Sequence, residues 1–206
     1  MCFSAPASFI ASGGLIALGA ASLTVAQREN KILALVPLLF GIQQGFEGVQ
    51  WLYLNHGVTS LFAGYGFLFF AFVVWPIYVP AFVYILDRKQ RKILKWFLML
   101  GIIVSIFFLS VLLTQSVAIG ELKACVNYRF NVPFKNLADM AYLAAVFCPL
   151  FASSKKIFQW FGVTIAILAV ITWLFFTVTF TSVWCFFSAV VSSMFFLYLR
   201  SKKSNS

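Results

Sequence analysis

The chain has 206 residues, 63% of them hydrophobic and only 10% charged, whereas a soluble domain is roughly 45–50% apolar and about 25% charged. Its net charge of +10 sits in short clusters between apolar runs, the pattern that orients a membrane protein rather than one that grips nucleic acid. No DNA- or RNA-binding motif occurs, and Met1-Cys2-Phe3-Ser4 lacks the positive region and cleavage site of a signal peptide.

A transmembrane helix needs about 20 mostly apolar residues. Seven runs qualify in chain order: Pro6–Val25, Ile32–Leu54, Leu61–Leu86, Ile93–Gln115, Asn136–Ser153, Ile157–Thr177 and Ser182–Leu199. The expected fold class is therefore all-α, a single integral membrane bundle of seven transmembrane helices over 1–206. Lys and Arg concentrate on cytoplasmic loops. With seven helices, Arg28, Lys31, Arg88, Lys89, Arg91, Lys92, Lys95, Lys155, Lys156, Arg200, Lys202 and Lys203 share one side, leaving Lys123, Arg129 and Lys135 on the other. This places the N-terminus outside and the C-terminus in the cytoplasm.

The second run carries the most informative residue. Glu47 lies well inside it, where a charge costs a few kcal/mol even on forgiving insertion scales (about 2.5–3.5). Gln43, Glu47 and Gln50 share one helix face, with Trp51 at its edge. Gly41, Gly45 and Gly48 mark the opposite face, where small residues let another backbone approach. Glu47 reads either as an acid–base or anchoring residue in an outward-opening cavity, or as a carboxyl satisfied by its neighbours for packing alone.

In the third run, Trp75-Pro76 and Pro80 predict a kink, because each proline removes a backbone donor. Between the fourth and fifth runs, at about 116–135, Leu122, Ala124, Val126, Tyr128, Phe130 and Val132 alternate with polar residues. Period two predicts a short hairpin or an extended segment with one apolar face. It reads either as a lid over the helix ends or as a loop resting at the lipid interface.

The proposed topology gathers further polar residues in the outer half. Cys2 and Ser4 precede the first helix. Asp139 and Tyr142 open the fifth. Trp184, Cys185 and Ser188 lie near the start of the seventh. The expected site thus has Glu47 and Cys185 as catalytic candidates, a base and a nucleophile. Gln43, Gln50, Trp51, Cys2, Ser4, Tyr142, Asp139, Trp184 and Ser188 would line it. Cys2, Cys185, His56 and Glu47 hold metal-type donors, but no CxxC or HxxxH spacing supports a metal, and unpaired thiols are the expected state. Two of Cys2, Cys125 and Cys185 would be able to pair in an oxidising compartment. No serine-hydrolase, zinc-protease or nucleotide-loop motif occurs, and nothing in the sequence assigns a cofactor.

Met1-Cys2-Phe3-Ser4-Ala5, the run Pro37-Leu38-Leu39-Phe40-Gly41-Ile42-Gln43-Gln44 leading to Glu47-Gly48 and Trp51, and Thr181-Ser182-Val183-Trp184-Cys185 together resemble a family of uncharacterised bacterial multi-pass membrane proteins. The resemblance implies the bacterial plasma membrane as location and transfers no catalytic residue. Three functions stay open at this level: binding or modification of a small or lipidic molecule, proton-coupled transport, and an accessory role in a membrane complex. The expected partners are the lipid bilayer and that small-molecule or lipid ligand, with no nucleic acid.

Overall fold

The computed structural model describes residues 4–122 and 124–204. It is built from nine α-helices, one π-helical segment and one hairpin among the described residues. The helices are α1 (Ala5–Val25), α2 (Lys31–Leu54), α3 (Leu61–Phe69), α4 (Trp75–Leu86), α5 (Arg91–Thr114), α6 (Lys135–Ala152), α7 (Lys156–Phe176), α8 (Phe180–Ser192) and α9 (Met194–Ser204). Strands β1 (Ala118–Leu122) and β2 (Cys125–Arg129) form the hairpin. Ala124 in its turn adopts a left-handed conformation, φ 55°.

Among the described residues, five helical stretches are long and apolar enough to cross a membrane: Ala5–Val25, Arg28–Leu54, Leu61–Leu86, Arg91–Thr114 and Lys156–Lys203. Helix α6 is 18 residues long and falls outside this set, because Lys135, Asn136 and Asp139 make its first turns polar. The last stretch runs through α7, α8 and α9 and is interrupted by a 3-10 turn at Thr177–Thr179. Large apolar side chains stand outward along these helices, among them Ile103 at 63% and Phe62 at 78% exposure. Such exposed apolar area suits lipid and not water.

The chain divides into two compact units. The first comprises the described residues of Met1–Phe67, Ile119–Tyr128 and Ile167–Ser206. Its centre is the α1–α2 pair. A Cβ on Gly41 would stand 2.9 Å from the Ile16 backbone nitrogen and 3.1 Å from the Ser12 carbonyl oxygen. Only a residue without a side chain permits that approach. Ser12 uses it, donating its hydroxyl to the Gly41 carbonyl at 2.8 Å. Helices α8 and α9 pack against this pair.

Strand β2 covers one end of the first unit. Val126 is buried with Ala5 at the start of α1 and Trp51 near the end of α2. Cys125 is buried with Val183 at the start of α8. Cys125, Val126 and Asn127 are all buried in succession, so the single apolar face expected from the period-two pattern is not what forms. The reason is that the strand is covered on both sides, and consecutive residues of a strand point to opposite faces.

The second unit comprises Leu68–Ala118 and Arg129–Ala166. Here the proline-rich helix does not simply kink. It passes through a five-residue π-helical segment, Phe70–Val74, immediately before Trp75-Pro76. Proline cannot donate to the helix ladder, and inserting a residue into the turn is one way to absorb the mismatch. Two carbonyls in the segment take side-chain donors: the Tyr142 hydroxyl reaches Ala71 at 2.7 Å and the Ser105 hydroxyl reaches Val73 at 2.8 Å. In an apolar setting such re-satisfaction is what makes irregular helix tolerable.

At the end of α4, Asp87 ties two loops of this unit together. It accepts from the Ser153 hydroxyl at 2.7 Å, the Ser154 amide at 2.6 Å, the Ser154 hydroxyl at 2.8 Å and the Lys89 amide at 3.2 Å. Burial alone would raise its carboxyl, but these donors outweigh it and hold Asp87 below its ordinary value of 3.8.

Candidate functional site

Helix α2 supplies the site. Gln43, Gln44, Glu47 and Gln50 are each wholly buried and fall within two turns on one side of the helix. Burying four such groups in an apolar protein is costly unless each finds partners. The Ser182 hydroxyl, at the start of α8, donates to Glu47 Oε1. The Cys185 thiol, one turn further along α8, is hydrogen-bonded with Gln43. The Gln44 side-chain amide approaches the Glu47 carboxyl group, although its Nε2 does not meet hydrogen-bond geometry.

The hairpin closes the set. The Tyr128 ring stacks on Phe67, centroids 5.0 Å apart, and its hydroxyl is buried. Burial, followed by the electrostatic influence of Glu47 and Cys185, pushes that hydroxyl well above its ordinary value. It therefore stays protonated and serves as a neutral donor or acceptor beside the carboxylate.

Partners run short at this face. Glu47 Oε2, both polar atoms of Gln50, Gln44 Oε1 and the Tyr128 hydroxyl are buried with no hydrogen-bond partner among the described residues. Ser8 Oγ on α1 and Asn127 Oδ1 on β2 share that condition. A few unsatisfied polar groups per hundred residues is ordinary in a native fold, and each asks for an explanation such as a water, an ion or a ligand. Here several fall along one helix face around one carboxylate.

The expected site residues separate into groups. Gln43, Glu47 and Cys185 come together, and Gln50 is buried further along α2 with its Oε1 towards Gly64. Trp51 is 3% exposed and packs with Ala5 and Val126. Trp184 is buried against Phe180, ring centroids 5.4 Å apart, and Ser188 is buried further along α8. Ser4 caps α1, accepting from the Ala7 amide at 3.4 Å. Tyr142 and Asp139 belong to the second unit, where Tyr142 holds the Ala71 carbonyl and Asp139 pairs with Lys135 at 2.5 Å. Cys2 lies outside the described residues. His56 is exposed in the turn after α2. Among the described residues no three His, Cys, Asp or Glu side chains gather.

Gln44, Ser182 and Tyr128 are further residues of this face beyond those expected from the sequence. Gln44 stands three residues before Glu47 and so shares its face, a signal that was available. Ser182 stands three residues before Cys185, but only folding tells that its hydroxyl meets Glu47. Nothing local points Tyr128 at a carboxylate 81 positions away in the chain.

A family model for proteins of unknown function, DUF6629, matches residues 1–206. The chain belongs to this family. Because the match spans every residue, α2, β2 and the start of α8 all fall inside the family's shared region. No curated protein and no solved structure matches the chain. The family therefore brings no activity to set beside the geometry, and the reading of this DUF6629 member rests on the residues themselves.

Proposed function

We infer that this is a seven-span protein of the bacterial plasma membrane whose α2 face binds or modifies a small or lipidic molecule around Glu47. The observation that carries the reading is the set of buried, unpartnered polar atoms at Glu47, Gln44, Gln50 and Tyr128. A face serving helix packing alone would pair these groups, since an unmet buried donor or acceptor costs about 1–3 kcal/mol.

The topology supports the same reading. The stretch Lys156–Lys203 is 48 residues long, and at 1.5 Å per residue that is about 72 Å against a hydrocarbon core of roughly 30 Å. Two crossings that divide at Thr177–Thr179, with α6 as a further span, give seven. Twelve of the fifteen basic residues then share the cytoplasmic side. Ala5, Trp51 and Val183, the residues beneath β2, come to the outer side. The hairpin acts as the lid, and ligand enters when β2 lifts.

Glu47 anchors the ligand or takes its proton, and Gln43 and Gln50 orient it. Cys185 is the nucleophile if the reaction is covalent. The direct test is ligand-induced thermal stabilisation of the purified protein against a panel of polar metabolites and lipids. Wild type should gain stability with a member of the panel and Glu47→Gln should not. A Glu47→Gln variant that keeps the full gain ends this reading. Proton-coupled transport is the second reading, favoured by the π-helical segment Phe70–Val74, since such segments often mark functional positions.

A further inference from the structure

We propose that the α2 face is a site for a dehydrated monovalent cation, an alkali metal ion or an ammonium group, held by Glu47 Oε2 with the side-chain oxygens of Gln44, Gln50 and Tyr128. This deepens the reading of the same site given above and rests on it.

Glu47 is wholly buried, and it is the one acidic residue among the groups assembled there. Gln43, Gln44, Gln50, Tyr128, Ser182 and Cys185 contribute no cationic side chain. Isolated charge in a low-dielectric interior is very costly, so a buried carboxylate takes up a proton or finds a cation. One carboxylate balances one positive charge. A divalent ion would leave a net charge buried, and an anion would meet the carboxylate with nothing to offset it. Phosphate and carboxylate ligands are thereby disfavoured.

The donor atoms set the chemistry of that cation. Glu47 Oε2, Gln44 Oε1, Gln50 Oε1 and the Tyr128 hydroxyl are all oxygens, all buried and all without a hydrogen-bond partner among the described residues. Hard oxygen donors suit hard cations. Soft or borderline metals prefer thiolate and imidazole. The nearby Cys185 thiol is occupied with Gln43, and the lone histidine, His56, is exposed in the turn after α2.

Three of these oxygens belong to side chains on successive turns of α2, and the fourth belongs to the strand that packs against it. Gln44, Glu47 and Gln50 are spaced by three, the separation at which helix side chains are neighbours. The Gln50 amide lies against α3, where its Oε1 would stand at an ordinary contact distance, 3.7 Å, from a Cβ on Gly64. Tyr128 is held in place by its stack on Phe67 and by the burial of Val126 beside it. The Ser182 hydroxyl, by occupying Glu47 Oε1, leaves Oε2 as the coordinating oxygen.

The test uses the full-length protein in nanodiscs at constant ionic strength, with choline as the balancing cation. Sodium, potassium and ammonium are titrated separately, and the thermal unfolding midpoint is read by tryptophan fluorescence. The expected result is a saturable rise in midpoint with one or more of these ions, absent with choline. Glu47→Gln should abolish the rise, and Gln50→Leu and Tyr128→Phe should weaken the apparent affinity tenfold or more. Lowering the pH should weaken it too, by up to tenfold per unit, because a proton competes for the same oxygen. Should Glu47→Gln fail to fold, the other two variants decide in the same titration, and unchanged affinity in both overturns the proposal. A wild-type response equal in choline also overturns it. If a neutral polar molecule or a lipid stabilises wild type but not Glu47→Gln, while no small cation acts, the cation assignment falls and the binding site stands. If neither cations nor the ligand panel distinguish wild type from Glu47→Gln, both fall.

Discussion

Ser182 on α8 donates its hydroxyl to the Glu47 carboxylate on α2, joining positions 135 apart in the chain. This bond fixes the start of α8 against the polar face of α2 and decides which carboxylate oxygen is left for other work. A typical intramolecular hydrogen bond contributes about 0.5–1.5 kcal/mol, and leaving a buried partner unmet costs about 1–3 kcal/mol. Ser182→Ala should therefore lower the thermal midpoint in detergent more than Ser4→Ala, which removes only the long bond at the partly exposed start of α1. Equal effects would mean that the Ser182 bond adds little.

The α1–α2 pair should be intolerant of side chains on its glycine face. A Cβ at Gly41 meets backbone of α1 at 2.9 Å, whereas one at Gly45 meets the movable Ser12 hydroxyl at 3.2 Å. Gly41→Val should cost at least the roughly 1–3 kcal/mol typical of overpacking, and Gly45→Ala less. Thermal unfolding of the two variants ranks them, and a reversed order would contradict the close approach.

Tyr142→Phe should strip the Ala71 carbonyl of its donor, and Ser105→Ala the Val73 carbonyl of its own. Each leaves a buried acceptor unmet at about 1–3 kcal/mol. Both act on one five-residue π-helical segment, so the double variant should depart from the sum of the two. Strict additivity would show that the two carbonyls are independent.

Stability should fall on acidification through Asp87. Its folded carboxyl lies below the ordinary 3.8, so the unfolded chain binds the proton more readily. The contribution is complete above the ordinary value and is lost as pH falls towards the folded one. Asp87→Asn should be less stable at neutral pH and should flatten the acid limb of a pH–midpoint profile. An unchanged limb would assign the acid sensitivity to another group.

The sequence was sufficient for the helical class, for the apolar stretches of membrane-spanning length and for placing Gln43, Glu47 and Gln50 on one side of α2, because these depend on local composition and on helical spacing. Glu47, Gln43 and Gln50 stand out by cost alone in an apolar run, and the glycines opposite them announce a close neighbour. Pro76 signalled irregularity but not its form, since whether a helix kinks or takes up an extra residue depends on what is near to cap the released carbonyls. Nothing local marks Asp87 as a tie between loops, because Ser153 and Ser154 reach it from a loop 66 and 67 positions away. The alternation in β2 promised one buried face, and tertiary packing buried both. Depth alone groups Tyr142 and Asp139 with Glu47 in the sequence, and only the folded chain supplies their partners, the Ala71 carbonyl and Lys135. What only the tertiary structure decided was which groups meet. Ser182 bonds Glu47 and Tyr128 comes within its electrostatic influence across segments far apart in the chain, and no local periodicity encodes those meetings.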